Sequence, residues 1–391
     1  MADGSIVIET DLDNSGVESG LNQLKGIFVK GVAALGVGKM FSEAIKSGIS
    51  FESAFTGVQK TVDATDEQLK TLRSNIRGMA KEMPESVEEI AGVAEAAGQL
   101  GIKTKSITSF TKTMVQLGDA TNLSSESAAT SLARFANITG MSQNHFDRLG
   151  STVVALGNNL ATTESEIVDM SMRIAGAGSQ VNMTEAQIMS FSGALSSVGI
   201  EAEAGGTAFS TLLSKMNRAA TKGGDSLKSF ADVAGMSSSE FKEAFEKDAA
   251  GAVISFIQGL DKVNKSGGSA IKVLDDMKLS DVRMRDALLR AAGASAQFTQ
   301  AVELGNQAWK DNTALAKEAE TRYGTMESQL AMTKNKLKDI GISVYDDVSK
   351  PMAKGLASAN KHLDKFMSKL EKGGIKSLVP DEVLNGVKNL G

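Results

Sequence analysis

The sequence predicts an all-α protein: an irregular array of short antiparallel helices, then a long coiled-coil-like helix, with at most one short N-terminal strand. Three observations predict this. Ser or Thr followed three residues later by Glu or Gln recurs along the chain, and this box caps a helix start. Glycines recur where the same helices should end. Only three prolines occur in 391 residues, and proline inside a helix removes an amide donor and clashes with the preceding turn.

The first element is Gly4–Thr10, which alternates loosely and suits one short strand, followed by a turn at Asp11–Gly16. The stretch Gly26–Phe41 is apolar but is interrupted by Lys30 and Lys39, and it falls short of a membrane span. It reads as a closely packed Gly/Ala helix. From about residue 50 the punctuation becomes regular. Helix openers are Thr65–Gln68, Ser86–Glu89, Thr163–Glu166, Thr184–Gln187 and Ser237–Glu240. Helix closers are Gly101, Gly118, Gly140, Gly157, Gly199 and Gly235, because glycine enters the left-handed region without steric cost. Pro84, between Met83 and Ser86, separates two helices.

Beyond about residue 294 the pattern changes. Ala319, Tyr323, Met326, Leu330, Thr333, Leu337, Ile340 and Val344 are spaced alternately four and three apart, the signature of a coiled-coil seam. Pro351 should kink or stop the helix, after which the spacing resumes at Met352, Leu356, Ala359, Leu363, Phe366 and Leu370. Three regions follow: residues 1–49, strand, turn and Gly/Ala helix; residues 50–294, a helical core; residues 295–391, a long helical segment broken near Pro351. The association seam is assigned to Tyr323, Met326, Leu330, Leu337, Ile340 and Val344. Either another copy or the protein's own array could cover it.

Composition narrows the function. With 41% hydrophobic residues and a net charge of -5 the chain is not of the disordered class. Aromatic content is 5% and there are 39 glycines, which predicts a thin core of small residues in closely approaching helices. The absence of cysteine excludes disulfides, thiol nucleophiles and Cys-type metal sites. The slightly acidic balance argues against general nucleic-acid binding, and the N-terminus lacks the basic start and apolar run of a signal peptide.

No catalytic, metal or cofactor set emerges. His145 and His362 are far apart and lie in no recognisable motif. Gly31–Met40 faintly resembles a phosphate loop, but Ala33 replaces the first glycine and Met40 the magnesium-binding hydroxyl residue. Asp11–Asn22 begins like a calcium loop, yet Asn22 stands where a bidentate glutamate is required. Glu88 and Glu89 complement a helix dipole. Met183, Met189 and Met216 read as core filler, and Lys334–Lys338 as a solvated helix face.

Several segments, in order, resemble the conserved region of bacteriophage tail tape-measure proteins. They are Phe51-Glu52-Ser53-Ala54-Phe55 with Val58, Met79-Ala80-Lys81-Glu82-Met83-Pro84, Val87-Glu88-Glu89-Ile90-Ala91, and Ala97-Gly98-Gln99-Leu100-Gly101-Ile102. The most specific is Ala194-Leu195-Ser196-Ser197-Val198-Gly199-Ile200, continued by Glu201-Ala202-Glu203-Ala204-Gly205-Gly206-Thr207-Ala208-Phe209. The start, Gly4 to Asp11, is also similar. The resemblance covers roughly three-quarters of the chain, from Phe51 to about Met352.

It implies a non-enzymatic, helical structural protein of the tail, which templates tail length during assembly and leaves ahead of the genome at ejection. Implied partners are tail tube and tail tip proteins, tail assembly chaperones and further copies of the chain, with no specific nucleic-acid binding. The implied location is the lumen of the tail tube in the virion, and the host cytoplasm during assembly. Family members are usually longer, with apolar membrane-active stretches and sometimes a peptidoglycan-cleaving domain. Neither is recognisable before Gly391, so the chain reads as the N-terminal part of a longer product or as a shortened prophage version. The alternatives are a non-viral helical scaffold, or a tail-associated cell-wall-degrading protein that would need a paired acid and base in a cleft.

Overall fold

The structure is a computed structural model that describes residues 37–373. Among the described residues there are 17 helices and no strand. In chain order they are α1 (Val37–Thr61), α2 (Asp66–Glu82), α3 (Val87–Gln99), α4 (Thr104–Ala120), α5 (Ser125–Thr139) and α6 (Phe146–Asn159). Then come α7 (Glu164–Gln180), α8 (Glu185–Ser197), α9 (Ala202–Lys222), α10 (Gly224–Ala234), α11 (Ser238–Lys247) and α12 (Ala249–Lys265). The last are α13 (Ala270–Asp276), α14 (Val282–Gly293), α15 (Ser295–Asp311), α16 (Ala314–Tyr323) and α17 (Met326–Gly373). The strand expected at Gly4–Thr10, the turn at Asp11–Gly16 and most of Gly26–Phe41 lie outside the described residues. The chain divides into two compact units, whose described parts are residues 53–336 and residues 37–52 with 337–373.

In the larger unit all five expected openers form complete capping boxes, at the starts of α2, α3, α7, α8 and α11. At α11, Ser237 Oγ accepts from the Glu240 amide at 3.3 Å while Glu240 Oε2 accepts from the Ser237 amide at 2.8 Å. Two amides that the helix itself cannot satisfy are thereby paired. Gly140 and Gly235 close α5 and α10 in the left-handed region, at φ of 73° and 71°.

Gly118 and Gly157 behave differently from expectation. Both lie inside helices, in α4 and α6. A Cβ on Gly118 would stand 2.9 Å from the Ser125 backbone nitrogen, and one on Gly157 would stand 2.6 Å from the Glu164 side-chain carboxyl carbon. Their smallness admits the start of the following helix.

Short loops make sequence neighbours pack together: α3 with α4, α4 with α5, α7 with α8, and α10 with α11 and α12. Distant segments then fold over these. Helix α15 lies on α6 and α8, α16 on α4 and α6, and α9 on α7 and α14. The core is less thin than composition alone suggests, because the few aromatics gather where helices meet. Phe191 of α8, Phe209 of α9 and Phe298 of α15 form a buried cluster, with Phe298 5.6 Å from Phe191 and 6.2 Å from Phe209. Phe230, Phe241 and Phe256 join α10, α11 and α12, and Phe110 meets Phe146 edge-on at 4.7 Å. Each such ring, fully buried, contributes about 1.5–3 kcal/mol. Met183, Met189 and Met216 are buried, as core filler should be.

The segment with the strongest family resemblance has a packing role. A Cβ on Gly205 would approach Met170 Cε to 3.0 Å and Ile200 Cγ2 to 2.7 Å, and one on Gly206 would meet Arg173. The pair lets α9 approach α7 closely.

In the smaller unit, the 37–52 part of α1 and the 337–373 part of α17 also pack through glycine. Gly48 faces the Tyr345 ring, and a Cβ on Gly341 would lie 2.9 Å from Ala44 Cα. The Tyr345 hydroxyl bonds the Glu52 carboxylate, and Ala44, Ile342 and Val348 are buried. Helix α17 starts at Met326, later than the 295 boundary of the expected long segment, and residues 295–323 contribute α15 and α16 to the larger unit. It also continues through Pro351 instead of stopping there.

Candidate functional site

Two features stand out: an apolar stripe on α17 and a buried acid cluster beside its start. The stripe comes from the four–three spacing. Met326 is 75% exposed, Leu330 63%, Leu337 64% and Ile340 62%. Thr333 is also exposed and Val344 is half-buried. On other sides of the same helix Met332, Asn335, Ile342 and Val348 are buried. The helix is thus apolar on two faces, of which one is covered. Lys334 and Lys336 are exposed, as a solvated face requires, but Asn335 between them is not.

Tyr323, the remaining seam residue, leaves the stripe. It ends α16, and Gly324 and Thr325 separate it from α17. Its hydroxyl donates to Asp119 Oδ2 at 2.7 Å, at the end of α4. The Asp119 carboxyl is in turn in hydrogen-bonding contact with that of Glu85, in the turn between α2 and α3. Glu85 Oε2 is buried and receives no hydrogen bond from any donor. Asn335 Nδ2, from α17, donates to the carbonyls of Met83 at 3.2 Å, Pro84 at 3.2 Å and Glu85 at 2.6 Å. The elbow between α16 and α17 is thereby tied to the Pro84 turn.

Electrostatics follow from burial. Desolvation, with the hydrogen bond to and the charge of Asp119 added, pushes the Glu85 carboxyl up to about 9. Desolvation also raises Asp119, opposed by its bonds from Glu85 and Tyr323, and it raises the Tyr323 phenol. The shared bond lifts Glu85 and lowers Asp119, as one proton between two coupled carboxyls does. Elsewhere, the capping-box carboxylates of Glu166 and Glu240 are held below the usual range, chiefly by accepting the Thr163 and Ser237 backbone amides.

This pair is not arranged as a glycosidase pair, whose carboxyls stand about 5–9.5 Å apart around a bond to be cut. Glu85 and Asp119 touch one another and line neither of two surface depressions. One, of about 480 Å³, is lined by Arg173, Thr207, Ser210, Thr211 and Ser214. The other, of about 330 Å³, lies beside Lys112, Asp147 and Asn312. His145 precedes α6 without capping it and sits edge-on to Trp309 at 5.8 Å. Among the described residues no group of three or more His, Cys, Asp or Glu side chains could hold a metal ion, and no helix is long and apolar enough to cross a membrane.

Glu85, Asp119 and Asn335 carry no sequence signal, because the contacts that define them join segments far apart in the chain. The one legible cue was Pro84, which marks the turn.

Comparison with known proteins gives two matches and one blank. The family described as phage-related minor tail protein matches residues 73–278, more than half of the chain. A "Probable tape measure protein" of Clostridium phage phiCD119 is 22% identical over 348 residues, covering 88% of this chain and 36% of that protein. The chain therefore spans only about a third of the length of that curated relative. No solved structure matches. The family match runs from within α2 to just past α13, taking in the capped helices and the glycine-packed α7–α9 pair. On this match, the chain belongs to the phage-related minor tail protein family.

Proposed function

We propose that the chain is a structural component of a phage tail, working as a length-setting tape measure in assembly and at genome ejection, without enzymatic turnover. The observation that carries this reading is α17, whose 48 residues span about 72 Å at 1.5 Å per residue and present an exposed apolar stripe. A long helix with exposed apolar residues at Met326, Leu330, Leu337 and Ile340 suits lengthwise association. Family membership and the likeness to the phiCD119 protein support it further. On this reading the partners are tail tube and tail tip proteins, tail assembly chaperones and further copies of the chain. Its places are the tail lumen and, during assembly, the host cytoplasm.

The test is tail length. An in-frame deletion of residues 344–357 removes two whole heptads and keeps the seam in register. It should shorten the tail by about 21 Å if length is written at 1.5 Å per residue, measured by electron microscopy of tails. Normal tails of unchanged length would reject the ruler reading for this helix.

A further inference from the structure

The acid cluster plays no part in the tape-measure reading, and valence limits what it can be. An ionised carboxylate only accepts hydrogen bonds. Glu85 Oε2 is buried without a donor, and the side chain in bonding contact with Glu85 is another carboxyl, that of Asp119. Two acceptors bond only through a proton. The Tyr323 hydroxyl is already committed to Asp119 Oδ2, so it does not serve Glu85 Oε2.

We propose that Glu85 and Asp119 share one proton, forming with Tyr323 a clasp that holds the α16–α17 elbow on the Pro84 turn and loosens when that proton is lost. The charged neighbours favour this. From α3, Glu89 adds negative charge toward both carboxyls, and Glu88 has a buried carboxylate oxygen beside the same turn. From α16, Arg322 offsets the charge on Asp119, and from α17 the neutral Asn335 donates to the Glu85 carbonyl. Losing the proton would place two bare carboxylates in contact, with the negative charge of Glu89 directed at both.

The sign follows from the raised carboxyl. Folded Glu85 binds its proton more tightly than the unfolded chain does, so the clasp is strongest at and below the ordinary glutamate value of 4.5. It weakens as pH rises towards about 9.

The test uses the full chain. In wild type, the infrared carbonyl band of a protonated carboxylic acid should persist at neutral pH and vanish on titration past about 9. Its absence at neutral pH overturns the proposal without any variant. Glu85→Gln places an amide donor where the proton sat and should remove the band. At about pH 10, one unit above that value, it should slow trypsin cleavage after Arg322 by about tenfold relative to wild type, the factor matching one unit of protonation equilibrium. Tyr323→Phe should speed that cleavage. Equal cleavage of wild type and Glu85→Gln at that pH, or a wild-type melting midpoint raised by added Mg²⁺ or Ca²⁺, would overturn the shared proton.

Discussion

Asn335 is the residue through which the long helix grips the Pro84 turn, and one nitrogen serves three carbonyls there. Asn335→Ala should cost about 1–3 kcal/mol in chemical denaturation, the penalty for leaving buried acceptors unpaired. An unchanged midpoint would mean that the turn re-pairs with water. The sequence could not expose this residue, since it sits among lysines in what reads correctly as a solvated face. The capping residues were the opposite case. Thr65, Ser86, Thr163, Thr184 and Ser237 bond amides three residues away, so all their physics is local and legible. Glu166 and Glu240, in two of these boxes, respond to pH opposite to Glu85. The depressed Glu166 and Glu240 stabilise above the ordinary glutamate value, and that stabilisation is lost as pH falls below it.

At the level of helices, start signals proved more readable than ends. A glycine near a helix end can be a left-handed cap or a place where another segment comes close. Gly140 is the first and Gly118 the second, and only the partner distinguishes them. Pro351 was misleading for a related reason: proline weakens a helix, but a long helix can absorb one missing bond. The glycine reading makes a paired prediction. Gly206→Val should destabilise by about 1–3 kcal/mol through overpacking against Arg173. Gly92→Ala, mid-helix in α3 with nothing near its missing Cβ, should stabilise by about 0.4–1 kcal/mol. Thermal melts followed by circular dichroism give both signs, and a destabilised Gly92→Ala would contradict the packing described for α3.

For the whole molecule, the residues of the four–three spacing divide: Met326, Leu330, Leu337 and Ile340 are exposed, whereas the Tyr323 hydroxyl turns to Asp119. The exposed part makes the last prediction. The double substitution Leu330→Asp with Leu337→Asp should lower the mass measured by light scattering while leaving the helical signal and protease resistance intact. Both side chains are more than half exposed, so monomer folding does not depend on them. Unchanged mass in an oligomeric sample would place association elsewhere. The clasp has a consequence in time. Tyr323 is 204 residues beyond Asp119, and synthesis at about 5–20 residues per second delivers it on the order of 10–40 s later. Throughout that interval the nascent chain carries Glu85 and Asp119 unclasped, so helices α2 to α4 must hold together first on their caps and apolar contacts.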